Sequence, residues 1–148
     1  MRILLQRVTR AAVRVEDEEI GSIGPGLLIF LGVTESDTKT EADWLAEKIA
    51  GLRIFSDEAG KMNLSVTDSG GSVLVVSQFT LYGDCRRGRR PGFDKAGPPA
   101  LAEELYEYFK GKVASLGLTV ASGRFAAHME VELVNDGPVT FIIDSPEK

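Results

Sequence analysis

One cysteine and one histidine occur in 148 residues. Cys85 has no intrachain partner for a disulfide and reads as a loop thiol. With His128 alone it cannot complete a structural zinc site, so neither metal nor cofactor is expected. No run of about 18 apolar residues is present. The opening MRILLQRVTRAAV carries arginines where a signal peptide needs an unbroken apolar segment, which leads to the expectation of a soluble, cytoplasmic protein without a membrane span. The G-x-S-x-G elbow, H-E-x-x-H, the Walker loop and the dinucleotide glycine fingerprint are all missing. Positive charge is in deficit as well: a net charge of −5 argues against indiscriminate attraction to nucleic acid, though not against local basic patches.

What is there is enough apolar sequence, 43%, for one domain spanning residues 1–148 with one sizeable core. Strand-length apolar pieces recur at RILLQRV, AAVRVE, GLLIFLGV, LRIF, VLVVSQF, LTVAS, MEVELV and VTFIID. Breakers separate them: Thr9 and Arg10 between the first two, then GSIGPG, DSGGS and NDGP. Two segments have helical spacing instead. Ala42, Leu45, Ala46, Ile49 and Leu52 form one stripe, with Glu41 and Asp43 suited to its first turn and Gly51 to its end; Leu101, Leu105, Tyr108, Phe109 and Val113 form another behind Pro98 and Pro99. The expected fold class is α+β: a single domain with a curved, mostly antiparallel, barrel-like β-sheet and two main helices packed outside it.

Three stretches attract functional interest. In VVSQFTLYGD an apolar strand turns polar at Ser77, Gln78 and Thr80, offering hydroxyls and free N–H groups that suit either an oxyanion-type cradle or an ordinary strand end with local hydroxyl bonds. In NDGPVT, Asn-Asp-Gly suits a hairpin turn, but the proline directly after glycine is odd there; a Gly137–Pro138 bond can be cis, although trans is the common form. In CRRGRRPGF, Arg86, Arg87, Arg89 and Arg90 surround Gly88, either as an anion-seeking cluster or as a solvated loop paired with Asp84 and Asp94. A Ser/His/Asp-type site would have to use His128, which stands among apolar neighbours in GRFAAHMEV. Two other functions therefore stay open on residues alone: a small-molecule esterase with Thr80 as nucleophile, and a non-catalytic module that binds an RNA end.

Seven blocks in order add a resemblance: QRVTRAAVRV from Gln6, LLIFLGV from Leu27, LRIFSDEAGKMNLSV from Leu52, VSQFTLYGD from Val76, GRRPGFDKA from Gly88, GRFAAHM from Gly123 and NDGPVT from Asn135. Nearly end to end, the chain resembles the D-aminoacyl-tRNA deacylases that carry a Gly-cisPro motif. The resemblance implies a homodimeric proofreading hydrolase that cleaves a D-amino acid, or glycine, from the terminal ribose of tRNA. Its partners would be a second copy of the chain and the tRNA acceptor end. By motif, Gly137 and Pro138 would project into the partner subunit's pocket and exclude L-substrates. Ser77, Gln78, Phe79 and Thr80 would hold the aminoacyl group as the catalytic wall. Arg7 would brace the Gly-Pro turn, and Phe125 and Met129 would accept the terminal adenine. The family commonly carries glycine where this chain has Ala126. An activated ester beside a free ribose hydroxyl needs no histidine base, which favours Thr80 as a binding group over Thr80 as a covalent nucleophile. Arg86, Arg87, Arg89 and Arg90 would meet tRNA phosphates.

Overall fold

The computed structural model describes residues 1–147. Strands β1 (Arg2–Val15), β2 (Glu18–Ile23) and β3 (Gly26–Gly32) open the chain, followed by helix α1 (Lys39–Gly51). A two-stranded ribbon, β4 (Phe55–Ser56) with β5 (Met62–Leu64), leads to the short helix α2 (Val66–Ser69). Strand β6 (Ser72–Ser77), a 3-10 turn (Phe79–Tyr82), helix α3 (Pro99–Ser115), β7 (Val120–Ser122) and β8 (Glu130–Asp144) complete the fold. The main sheet runs β2-β1-β3-β6-β7, with β8 on β1 as well.

The sheet is mixed: β1 pairs antiparallel with β2, β3 and β8, while β3–β6 and β6–β7 are parallel. Its two ends nearly meet. A Cβ on Gly21 of β2 would lie 2.6 Å from the Ser122 carbonyl of β7, so glycine is what lets the edges approach. The barrel-like curvature expected from the sequence is therefore present.

Strands β3 and β6 are the continuous apolar runs GLLIFLG and SVLVVS because both of their faces are covered. Leu27, Ile29, Leu31, Val73 and Val75 face a core shared with the helices, where Ala42, Leu45, Ala46 and Ile49 of α1 meet Leu105, Tyr106, Phe109 and Val113 of α3. Leu28, Leu74 and Val76 face the second core with Val8, Ala11, Val13 and Ile23. Thr38 caps α1 through a reciprocal capping box with Glu41, the signature behind its sharp start.

Two expectations are corrected. Thr9 and Arg10 do not separate two strands: β1 runs unbroken through them, its exposed Thr9–Arg10 stretch imitating a breaker. The NDGP segment does not separate two strands either: MEVELV, from Glu130 on, and VTFIID belong to the single strand β8, and the pieces on both sides of NDGP pair with the same β1.

Candidate active site

Along β8, Thr140 pairs with Gln6 and Asn135 with Val8, so residues 136–139 stand opposite Arg7 alone. The extra chain has to leave the sheet, and it does so as a turn in which the Gly137–Pro138 bond is cis. Buried Val139 returns it to the core. Arg7, only 8% exposed, holds the turn from below. Its Nε donates to the Asp136 carbonyl at 3.1 Å and lies 3.1 Å from the Asp136 carboxylate, and its Nη1 donates to the Ile54 carbonyl at 2.6 Å. From the other side Asn135 Nδ2 donates to the carbonyls of Arg7 and Val139, at 2.9 and 3.1 Å. A Cβ on Gly137 would lie 2.5 Å from Asn135 Oδ1, so this brace requires glycine. Gly137 and Pro138 themselves are exposed.

Ser77 ends β6 beside Leu31, and the Gln78 N–H donates to the Leu31 carbonyl at 2.8 Å. The chain then winds into the 3-10 turn, closed by Leu81 N–H to Gln78 and Gly83 N–H to Thr80. The Gln78 side-chain amide donates to Thr80 Oγ1. Among the described residues no carboxylate or imidazole bonds that hydroxyl, so nothing is placed to deprotonate it. Phe79 is exposed and meets Phe93 edge-on, ring centroids 5.0 Å apart. Arg2 steadies the turn from behind: Nη1 donates to the Leu81 carbonyl at 3.1 Å, the guanidinium lies over Tyr82, and Nε pairs with Asp144 at 2.7 Å. Burial pushes the Tyr82 phenol well above its ordinary pKa, so it stays neutral.

Residues 123–129 leave the sheet next to that turn. Parallel β6 and β7 pair Val75 with Ser122, so both strands release their following loops at the same end. Tyr106, fully buried, ties them together by donating to the Val75 carbonyl at 3.1 Å and lying 3.4 Å from that of Gly123. Its ring packs against Phe125, centroids 6.1 Å apart. Met129 closes over Gly123, where a Cβ would come within 2.5 Å of its sulfur. Between them Ala126 adopts a left-handed conformation, φ 63°, the geometry for which glycine is the ordinary residue. His128 is exposed, in a cavity of about 390 Å³ with Arg14, Arg124 and Glu130, and shares no hydrogen bond with Thr80.

Phe125, Met129 and Ser77–Thr80 thus gather at one end of the sheet, and the Gly137–Pro138 turn does not join them. Arg7 is level with Leu27 and Val73, whereas Ser77 is level with Leu31 and Ile3. Four residues of strand separate the two levels, about 13 Å. Arg86–Arg90 form an exposed loop after the 3-10 turn; Arg86 is bound to Asp84, and the other three have no carboxylate partner among the described residues.

Sequence reasoning missed Asn135, the second brace of the Gly-Pro turn, and Phe93, the partner of Phe79. An Asn two positions before a glycine is a signal for local amide bonding to the main chain that could have found the first; no local signal marks the second. No group of three or more His, Cys, Asp or Glu side chains is placed to hold a metal among the described residues, and no described helix is long and apolar enough to cross a membrane.

The profile of the D-Tyr-tRNA(Tyr) deacylase family matches residues 4–144. Proteins named D-aminoacyl-tRNA deacylase are 61% identical in Symbiobacterium thermophilum and 58% in Thermotoga petrophila, each alignment spanning 98% of this chain and 96% or 97% of the relative. Among solved structures, one described as c-Myc DNA unwinding element binding protein superposes with a TM-score of 0.93 at 40% identity, covering 99% of this chain and 100% of that one. Another, a probable eukaryotic D-amino acid tRNA deacylase, shares the fold with a TM-score of 0.86 at 17% identity, covering 97% and 98%. This chain belongs to the D-Tyr-tRNA(Tyr) deacylase family and is a proofreading hydrolase acting on D-aminoacyl-tRNA.

Proposed function

We propose that the active site is completed across a homodimer, the Ser77–Thr80 wall of one subunit meeting the Gly137–Pro138 turn of the other. The observation that carries this reading is the separation of the two elements by about four residues of strand within one chain, with Phe79 and Thr80 exposed at one level and Gly137 and Pro138 at the other. Exposed Val134, Phe141 and Ile142 on β8, beside the turn, supply apolar surface for a two-fold contact.

In such a site the main-chain carbonyls of Gly137 and Pro138 receive the ammonium group of a D-aminoacyl ester, and the side chain of an L-residue collides with the turn. Arg7 and Asn135 hold that turn rigid enough to discriminate. The wall from Ser77 to Thr80 holds the ester through hydroxyls, the Gln78 amide and main-chain N–H groups, and Phe125 with Met129 accepts the terminal adenine. Thr80 Oγ1 accepts from Gln78 and has no base bonded to it among the described residues, so Thr80 binds substrate, and the ribose 2′-hydroxyl assists water in opening the ester. A pocket that reads the α-carbon and leaves the side chain outside accepts many D-amino acids and glycine. The reaction belongs in the cytoplasm, where charged tRNA is.

Purified protein incubated with D-tyrosyl-tRNA and L-tyrosyl-tRNA tests the reading. Hydrolysis of the D-ester alone is expected; equal hydrolysis of both would sink the chiral pocket.

A further inference from the structure

The arginine loop is fastened at its base and along its return. Asp84 and Gly92 exchange main-chain hydrogen bonds of 2.8 and 2.9 Å. Beyond this clasp Thr34 Oγ1 donates to the Lys95 carbonyl at 2.5 Å, and the Gly97 N–H donates to Val33 at 2.8 Å, pinning the returning chain to the end of β3. Arg86 to Arg90 therefore project from a fixed base. Asp84 is fully engaged by Arg86, whose main-chain N–H, Nε and Nη2 reach its carboxylate at 3.0, 2.9 and 2.7 Å and hold it well below the usual carboxylate pKa range. Arg87, Arg89 and Arg90 stay exposed without a carboxylate among the described residues, on a chain whose net charge is −5. Mutual repulsion of these guanidinium groups is relieved by a polyanion.

The aromatic rings beside the loop narrow the choice of polyanion. Phe93 follows the clasp directly, is 37% exposed and packs edge-on against Phe79 of the 3-10 turn. Exposed rings next to a row of cations are what single-stranded nucleic acid needs, bases stacking while phosphates meet the charges.

We propose that Arg87, Arg89, Arg90 and Phe93 form a docking surface for the phosphodiester backbone and unpaired bases of the substrate's single-stranded 3′ end, on the subunit that supplies the Thr80 wall. The proposal rests on the reading of Ser77–Thr80 as the aminoacyl wall, since the clasp residue Asp84 follows Thr80 by four positions. A duplex stem carries the same phosphates, so the two sources must be separated by experiment.

The test measures kcat/KM against salt for wild-type protein and for Arg87→Gln/Arg89→Gln/Arg90→Gln. For D-tyrosyl-tRNA the wild type should show a log–log slope of roughly −2, three contacts at about −0.7 each. The triple variant should lose most of that slope and about tenfold in kcat/KM at low salt, through KM. A D-tyrosyl tetranucleotide ending in CCA, which carries three phosphodiesters, should keep the wild-type slope, and Phe93→Leu should raise its KM several-fold with the slope unchanged. An unaltered slope in the triple variant overturns the proposal; a slope that appears only with full-length tRNA overturns the single-stranded assignment; an unaltered KM in Phe93→Leu overturns the stacking. Failure of the chiral pocket looks different, as equal hydrolysis of D- and L-esters by wild type at every salt concentration.

Discussion

The guanidinium of Arg7 reaches the carbonyl of Asp136 at 3.1 Å, where residues 136–139 bulge out of the pairing of β8 with β1. That bond, with the one to Ile54, makes a buried strand residue the support of an exposed turn. Replacing Arg7 by alanine strands two carbonyls. The expected loss is about 1.5–3 kcal/mol, the range for a hydrogen bond to a charged group, read from urea midpoints. D-tyrosyl-tRNA hydrolysis should fall more than stability does, because the turn loses its position before the fold is lost. Arg7→Lys keeps the charge but not the fork whose Nε and Nη1 reach Asp136 and Ile54 separately, and should recover stability better than activity.

Gly137 and Asn135 act as a unit. Gly137→Ala places a methyl 2.5 Å from Asn135 Oδ1, so the amide must swing away from the carbonyls of Arg7 and Val139. The two lost bonds correspond to about 2 kcal/mol. In a double-mutant cycle Gly137→Ala should add little once Asn135→Ala has removed the amide; full additivity would contradict the coupling.

Ala126 offers a stabilising change. Its left-handed φ of 63° costs a side-chain-bearing residue about 1–2 kcal/mol, and the exposed methyl contributes little packing. Ala126→Gly removes that cost at the expense of roughly 0.4–1 kcal/mol of unfolded-chain entropy. A net gain of up to about 1 kcal/mol should appear as a higher urea midpoint with an unchanged slope.

Tyr106 sets an alkaline limit. Burial pushes its phenol up to about 12, so ionisation favours the unfolded chain, whose phenol titrates near 10. Its contribution is fully present below about pH 10 and is lost as pH rises through about 12, some 2–3 kcal/mol in all. Tyr106→Phe should be less stable at neutral pH, lacking the bond to Val75, and should fall less steeply across that window.

His128 and Thr80 separate mechanisms. The imidazole is exposed and unconnected to Thr80, so His128→Ala should change single-turnover hydrolysis less than about threefold. Thr80→Ala should cost about five- to thirtyfold, one positioning hydroxyl at about 1–2 kcal/mol. Complete loss of turnover with tRNA binding intact would revive the covalent nucleophile.

The helices were legible because their stripes are local: Ala42, Leu45, Ala46 and Ile49 are buried as their spacing requires. Tyr106 escaped because it sits off the stripe through Leu105 and Phe109, yet it faces β6, where α3 is covered on a second side. Helix α2 carried its own signal in Ser65 and Asp68, a capping box three residues apart, too short to register as a helical period. In the site, the Ser77–Thr80 stretch and the Gly-Pro turn were visible as motifs. That residues 136–139 bulge from one strand opposite Arg7 depends on pairing across more than a hundred residues, which no local pattern contains. The Asp84–Gly92 clasp and the Phe79–Phe93 contact were illegible for the same reason.

The central claim is that the wall and the turn of one site come from different subunits, and subunit mixing tests it most directly. One chain carries Gln78→Ala/Thr80→Ala and the other Gly137→Val, and each alone should be nearly inactive on D-tyrosyl-tRNA. Unfolding the two together and refolding them should restore activity to about a quarter of the wild-type level, since half of the random dimers are mixed and each holds one intact site. A mixture no more active than its separate components would place the whole site within one chain and contradict the account.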